Sequence, residues 1–235
     1  MNPNLKDYAW VFVGCGGTFY AASPYLAVLV RRYCRRPIIL FDPDTVEQEN
    51  LDRQWPWAEV GDSKVRIGSR ALRIEDFVSI VDCFKADDSV LEEATDGRPV
   101  LAIVNVDNNE ARLDVAAWLA SRISPGIMVV SGCEQTLGQC YAGLWDEGEA
   151  ILDWRTLHPD VGDTTVAPVN SCNIQTIQSN ALTGVLVGMC IEEIARWLQY
   201  SQRKDVSEYY WDIDKETGRV KMWELLVETK REVLS

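Results

Sequence analysis

Histidine is almost missing from this chain: His158 is the only one among 235 residues. Chemistry that moves protons through a histidine pair or a Ser–His–Asp triad is thereby disfavoured, though one role for His158 stays open. The seven cysteines are an odd, scattered set with no Cys-x-x-Cys pair. That argues against a disulfide framework and against structural zinc, and it fits a reducing compartment. Positive charge is scarce as well: 23 Lys and Arg face 36 Asp and Glu, for a net charge of −13. A nucleic-acid binder carries a basic face, so that class is not expected. The longest apolar helix, residues 181–198, is interrupted by Glu192, Glu193 and Arg196, so no membrane span is expected. The N-terminus lacks a basic region followed by an apolar one; no signal peptide is expected, and the cytoplasm is the expected location. Neither an internal repeat nor a low-complexity segment is present.

What the chain does have is an ordinary globular composition, 47% hydrophobic and 25% charged. Apolar runs at Trp10–Val13, Ile38–Phe41, Val78–Phe84, Val100–Val104 and Ile127–Val130 predict strands. Helical spacing predicts helices that end near Arg35, span Ser63–Ile74 and span Asn109–Ser121. Strand alternating with helix implies an α/β fold with a doubly wound, mainly parallel sheet. Pro24 is awkward inside the first helix. Ser23 is therefore expected to cap it, with Pro24 in its first position. From Gly138 the pattern changes. Strand-like runs to Asp153 around Glu147-Gly148, and a hairpin over Tyr209–Leu225 turning at Lys215–Gly218, predict antiparallel strands at the sheet edge. Between them come a loop over Leu157–Val169 and a long helix around residues 174–199; a short terminal helix is expected after the hairpin.

Two local features point to a ligand. Gly14-Cys15-Gly16-Gly17 follows the first strand, and glycines there let backbone N–H groups approach phosphate at a helix N-terminus. Phe19 stands where the dinucleotide fingerprint wants a third glycine. Asp42 closes the second strand, where an acid bonds ribose hydroxyls. These features alone suit NAD as well as ATP. NAD does not require the residues downstream: Asp44, then Asn50, Arg53 and Gln54 at fixed distances, then Gly61-Asp-Ser-Lys64, then Val106-Asp107-Asn108 with Arg112 beyond.

In this order and spacing, over residues 9–112, the motifs resemble the ThiF/MoeB/HesA family, bacterial relatives of the ubiquitin-activating enzymes. The resemblance implies a Rossmann-like sheet and an adenylyltransferase that activates the C-terminal carboxylate of a small ubiquitin-like or sulfur-carrier protein ending in Gly. ATP and Mg²⁺ are the implied cofactors, and a homodimer the implied assembly. On the same ground Gly14, Gly16, Gly17, Asp42, Asp44, Asn50, Arg53, Lys64 and Asp107 would form the ATP site. Arg53 and Lys64 would act on the phosphates, Asp107 on Mg²⁺ and Asp42 on the ribose. No general base is required, since a carboxylate is already ionised. Some relatives pass the acyl group to a cysteine, and Cys172, just ahead of the long helix, falls where such a residue stands. A single domain over 1–235 is expected, with a nucleotide half to residue 135 and a partner-docking half from 136. The paired-cysteine zinc site of many relatives is absent, as is an arginine before Tyr8. The competing expectations are the same fold acting on a small-molecule carboxylate, or a nucleotide-binding scaffold without turnover.

Overall fold

Five short apolar runs lie parallel in one sheet: β1 (Ala9–Val13), β2 (Ile38–Phe41), β3 (Val78–Ile80), β4 (Val100–Val104) and β5 (Gly126–Cys133). This computed structural model describes residues 4–35, 37–159, 176–199 and 205–228. Strands β1, β2 and β4 are buried from end to end, which is why they read as continuous apolar runs rather than as alternating ones. Antiparallel strands β6 (Leu137–Asp146), β8 (Asp205–Ile213) and β9 (Val220–Glu228) extend the sheet, and β7 (Glu149–Leu152) pairs with β6. The order is β3-β2-β1-β4-β5-β6-β8-β9. The winding reverses between β1 and β4, and in doubly wound sheets such a switch point is where a crevice opens beyond the carboxyl ends of the strands.

Helices cover both faces. On one, α1 (Gly17–Tyr33), α3 (Lys64–Leu72) and α7 (Ile177–Gln199) bury Leu26, Ile67 and Ile191 against Trp10, Phe12 and Leu101. On the other, α4 (Ser89–Thr95) and α5 (Asn109–Ser121) bury Leu91, Val115 and Trp118 against Val11, Ile39 and Val104. A 3-10 turn over Leu5–Asp7 and the short helices α2 (Gln48–Leu51) and α6 (Trp154–Leu157) complete the described elements, so a helical turn occupies the start of the loop expected from Leu157 onward. Its remainder, from residue 160, lies outside the described residues, as does the short terminal helix.

The expected bounds of β2, β4 and α5 coincide with the observed ones. Two expectations are corrected. The third strand stops at Ile80; Phe84 leaves the sheet and seats its ring between Phe41 and Trp118, at 5.3 and 5.5 Å. Helix α1 starts at Gly17, not at Ser23, and runs through Pro24. A proline there cannot donate to the carbonyl of Tyr20. The Ser23 hydroxyl donates to it instead, at 2.7 Å.

Helices α1 and α7 run parallel and close. A Cβ on Gly184 would lie 2.7 Å from the Ala22 nitrogen, and one on Gly188 would lie 3.4 Å from Tyr25. Gly184 thus lets the two backbones approach as no larger residue would, while at Gly188 a Cβ would make an ordinary contact. Both N-termini consequently stand at the same edge of the sheet, the carboxyl edge.

Candidate active site

The register of the sheet brings the motif residues together. Phe41, Val13 and Val104 lie abreast on β2, β1 and β4, so Asp42, Gly14 and Asn105 leave the three strands at one level. Gly14 has φ +88°, and its Cα faces the Asn105 carbonyl so closely that a Cβ would sit 2.7 Å from that oxygen. Asp42 is only 5% exposed. Its carboxylate accepts from the Cys15 N–H at 2.6 Å and from the Asp44 N–H at 2.9 Å, which ties the end of β2 to the glycine turn.

Burial raises the Asp42 pKa above its usual 3.8, against the lowering effect of those two N–H donors and of Lys64. The folded protein thus holds this proton more tightly than the unfolded chain. The stabilisation it provides is complete below pH 3.8 and is lost as pH rises through the higher folded value. Acid-range unfolding titrations are expected to reveal it: the stability of wild type relative to Asp42→Asn should fall as pH rises across that window. A flat difference would contradict it.

Lys64 opens α3, and its Nζ lies 2.8 Å from Asp44 Oδ2. Its N–H donates to the Asp44 carbonyl at 3.1 Å, and Thr45 bridges Ser63 beside it. The Asp-x-Asp and Gly-x-x-Lys motifs are therefore one folded unit. Asn50 is turned to local work: its Oδ1 accepts from the Glu47 N–H at 2.9 Å in a capping box that starts α2. Half-buried Arg53 follows that helix. Gln54 and Trp55 then turn inward. Trp55 is fully buried with φ +55°, and its indole N–H donates to the Cys15 carbonyl at 3.2 Å. Asp107 is exposed two residues past Asn105, and Asn108 beside it caps α5 by accepting from the Ala111 N–H at 2.8 Å. Arg112 is not part of the crevice wall in this way. Its guanidinium donates to the carbonyls of Val106 and Ser131 at 2.8 and 3.0 Å and fastens α5 to β5.

Phe19 does not enter the crevice either. It is fully buried, edge-on to Phe12 at 5.6 Å, and a Cβ on Gly68 of α3 would meet it at 3.1 Å. The glycine that the fingerprint wants on α1 has its counterpart on the neighbouring helix.

Two buried carboxamides flank the turn: Gln54, which the sequence motif already contained, and Asn180, which sequence reasoning did not name. Gln54 Oε1 lies 3.9 Å from a Cβ placed on Gly16. Asn180 Nδ2 would be 2.4 Å from one on Gly17. Asn105 supplies the carbonyl against Gly14 and accepts from Ser131 Oγ at 2.6 Å. Gln54 Oε1, Asn105 Nδ2 and Asn180 Nδ2 are buried with no hydrogen-bond partner. Orphaned buried polar atoms are costly, and two of these, Gln54 Oε1 and Asn180 Nδ2, face the glycine turn, where a polar ligand would give them partners.

The described cysteines are free thiols. Burial pushes the thiol pKa of Cys15, Cys133 and Cys140 up, and that of Cys34 to about 12. None of these four is poised as a thiolate at neutral pH. Cys172 lies outside the described residues. Among them, no group of three His, Cys, Asp or Glu is arranged to hold a metal, and no helix is long and apolar enough to cross a membrane.

A doubly wound sheet with a glycine turn, a strand-end acid and a lysine–aspartate loop at its switch point defines a Rossmann-like ligand-binding protein. The particular branch emerges from comparison with known families. The family model of the ThiF family matches residues 3–233, and the chain belongs to that family. No curated protein matches the sequence. Among solved structures, Escherichia coli MccB with ATP superposes with a TM-score of 0.57 at 17% identity, covering 93% of this chain and 64% of its own. The same enzyme with MccA gives 0.58 at 18% identity, with 98% and 67% covered. PaaA gives 0.57 at 15%, with 95% and 65% covered. The chain thus spans about two thirds of the length of these proteins, and at such identities the likeness is one of fold.

Proposed function

We propose that this protein binds ATP with Mg²⁺ and adenylates a C-terminal carboxylate, that of a small ubiquitin-like or sulfur-carrier protein ending in Gly. The observation that carries the reading is the convergence of Asp42, the glycine turn, the Lys64–Asp44 loop and Asp107 on one crevice. ThiF membership and the fold shared with MccB, a protein recorded with ATP and with MccA, support it.

The chemistry fits these side chains. One carboxylate oxygen forms a bond to the α-phosphorus while the bond from that phosphorus to the bridging oxygen breaks, and pyrophosphate leaves. Two anions must meet, and negative charge grows on the leaving group; positioned cations and backbone dipoles are what lowers such a barrier. The N-terminus of α1 faces the crevice as a fixed dipole. Lys64 would exchange the Asp44 carboxylate for a phosphate oxygen, and Arg53 would add the second cation. Asp42 would hold the ribose. Asp107 would hold Mg²⁺, an ion commonly bound by one or two carboxylates together with substrate phosphates, where it supplies charge neutralisation. The absence of any required base agrees with a crevice whose named residues include no histidine.

By family resemblance the reading includes a homodimer and thioester transfer to Cys172. Strands β6 to β9 would carry much of the docking surface for the partner. The whole chain would act as one unit, because α7 of the second half walls the glycine turn of the first.

Calorimetry tests the core of the reading. ATP–Mg²⁺ is expected to bind, NAD is not, and Asp107→Ala is expected to weaken ATP by about tenfold, the loss of one charge-assisted contact. A folded wild type that binds no ATP would sink the proposal. ATP–pyrophosphate exchange that requires an added carboxyl-terminal partner would separate an enzyme from a scaffold.

A further inference from the structure

The carboxamide of Asn180 lies in the first turn of α7, against the first residue of α1. Its Oδ1 accepts from Thr18 Oγ1 at 3.3 Å and from Cys133 Sγ at 3.7 Å. With both donors on the oxygen, Nδ2 is turned toward Gly17, where a Cβ would be 2.4 Å away. The residue is 2% exposed, and Nδ2 has no acceptor. Leaving such a donor unpaired is unfavourable: Thr18 and Cys133 account for the oxygen of the amide, and nothing in the packing of α7 accounts for its nitrogen.

The helix pairing adds a second reason. Parallel α1 and α7 place two positive dipole ends side by side, each equivalent to roughly half a charge. That arrangement is unfavourable by itself and becomes favourable when an anion sits at the shared end.

We propose that Asn180 is a positioning residue for an oxyanion, and that the N-termini of α1 and α7 form its cradle together. The inference rests on the adenylating reading and deepens it by assigning the phosphoryl group of the nucleotide to both halves of the chain. An oxyanion held by the first N–H groups of α1 becomes the acceptor that Nδ2 lacks, and Thr18 and Cys133 keep the amide from turning over. The carboxylate of the partner is the other oxyanion that enters this crevice, and it is separated from phosphate by experiment.

The test compares wild type, Asn180→Ala and Asn180→Asp, each the full chain, for binding of inorganic pyrophosphate, ATP, adenosine and acetate. Pyrophosphate and ATP are expected to weaken by about tenfold in Asn180→Ala. They should weaken further in Asn180→Asp, where a carboxylate faces the anion, while adenosine is unchanged in both. Equal affinities for pyrophosphate, or adenosine falling in step with ATP, would overturn the proposal in favour of a purely structural residue. Acetate binding that tracks the Asn180 variants while pyrophosphate does not would overturn the assignment to phosphate. A readout independent of either variant's folding is the Asn180 side-chain amide of ¹⁵N-labelled wild type: its protons should shift on adding pyrophosphate, and stationary resonances would count against the idea. A wild type that binds pyrophosphate but no ATP sinks the adenylating reading and leaves Asn180 to be judged on pyrophosphate alone; one that binds neither sinks both.

Discussion

Trp55→Ala is expected to destabilise the protein by about 4 kcal/mol, the range for emptying a large buried aromatic site. The ring is fully buried, packs 4.8 Å from Tyr20 and 6.1 Å from Phe19, and its N–H holds the Cys15 carbonyl of the glycine turn. Its backbone is also strained: φ is +55°, a region that costs an L-residue about 1–2 kcal/mol. The surrounding aromatic packing holds it there. A second substitution makes the argument sharper. Trp55→Gly leaves a cavity at least as large but removes the backbone strain, so it is expected to be more stable than Trp55→Ala by about 1 kcal/mol. Chemical denaturation of the pair decides it. If glycine proves the worse of the two, strain at this position is not what the dihedral implies.

Gly14→Ala is expected to cost at least about 2 kcal/mol and to abolish nucleotide binding. Its φ of +88° is poor for alanine, and the added Cβ would lie 2.7 Å from the Asn105 oxygen and 3.0 Å from its carbonyl carbon. These are backbone atoms, so no side chain can swing away. The carboxyl ends of β1 and β4 must separate, and the crevice is built on their spacing. Gly16→Ala is the companion: the nearest atom to its Cβ is Gln54 Oε1 at 3.9 Å, and no positive φ is required. That variant should melt near wild type yet bind ATP more weakly, because its methyl group occupies the approach to the turn. Thermal melts and calorimetry on both variants distinguish a glycine needed by the fold from one needed by the ligand. Equal melting temperatures for the two would contradict the distinction.

How far these residues could be foreseen depended on sequence distance. Strands β2 and β4 are short apolar runs buried along their whole length and cut off by polar residues, so their bounds stand in the sequence. The motifs from Gly14 to Lys64, and Asp107-Asn108, stand out in the sequence because each sits in a local turn or cap whose chemistry its neighbours reveal. The start of α1 was not, because the rule that proline breaks helices takes no account of a hydroxyl one residue earlier serving the abandoned carbonyl. Phe84 reads as the end of a strand and is instead a core anchor for α5, a choice made by tertiary packing. Asn180 was hidden for a different reason: its partners Thr18 and Cys133 come from distant segments. The one signal for it was Gly184, one turn later on the same helix face, where a side chain would strike the backbone of α1.

That helix pair also sets an order of events in the making of the protein. Gly17 meets Asn180, Ala21 meets Gly184 and Tyr25 meets Gly188, a constant separation of 163 residues. At the usual rate of translation, α1 leaves the ribosome roughly 10–30 s before the segment that covers it. Throughout that interval its small-residue face has nothing to pack on, and the turn that would cradle phosphate is walled on one side only. Contacts so remote in sequence close late and slow the final step of folding. The candidate site is therefore among the last parts of the fold to form.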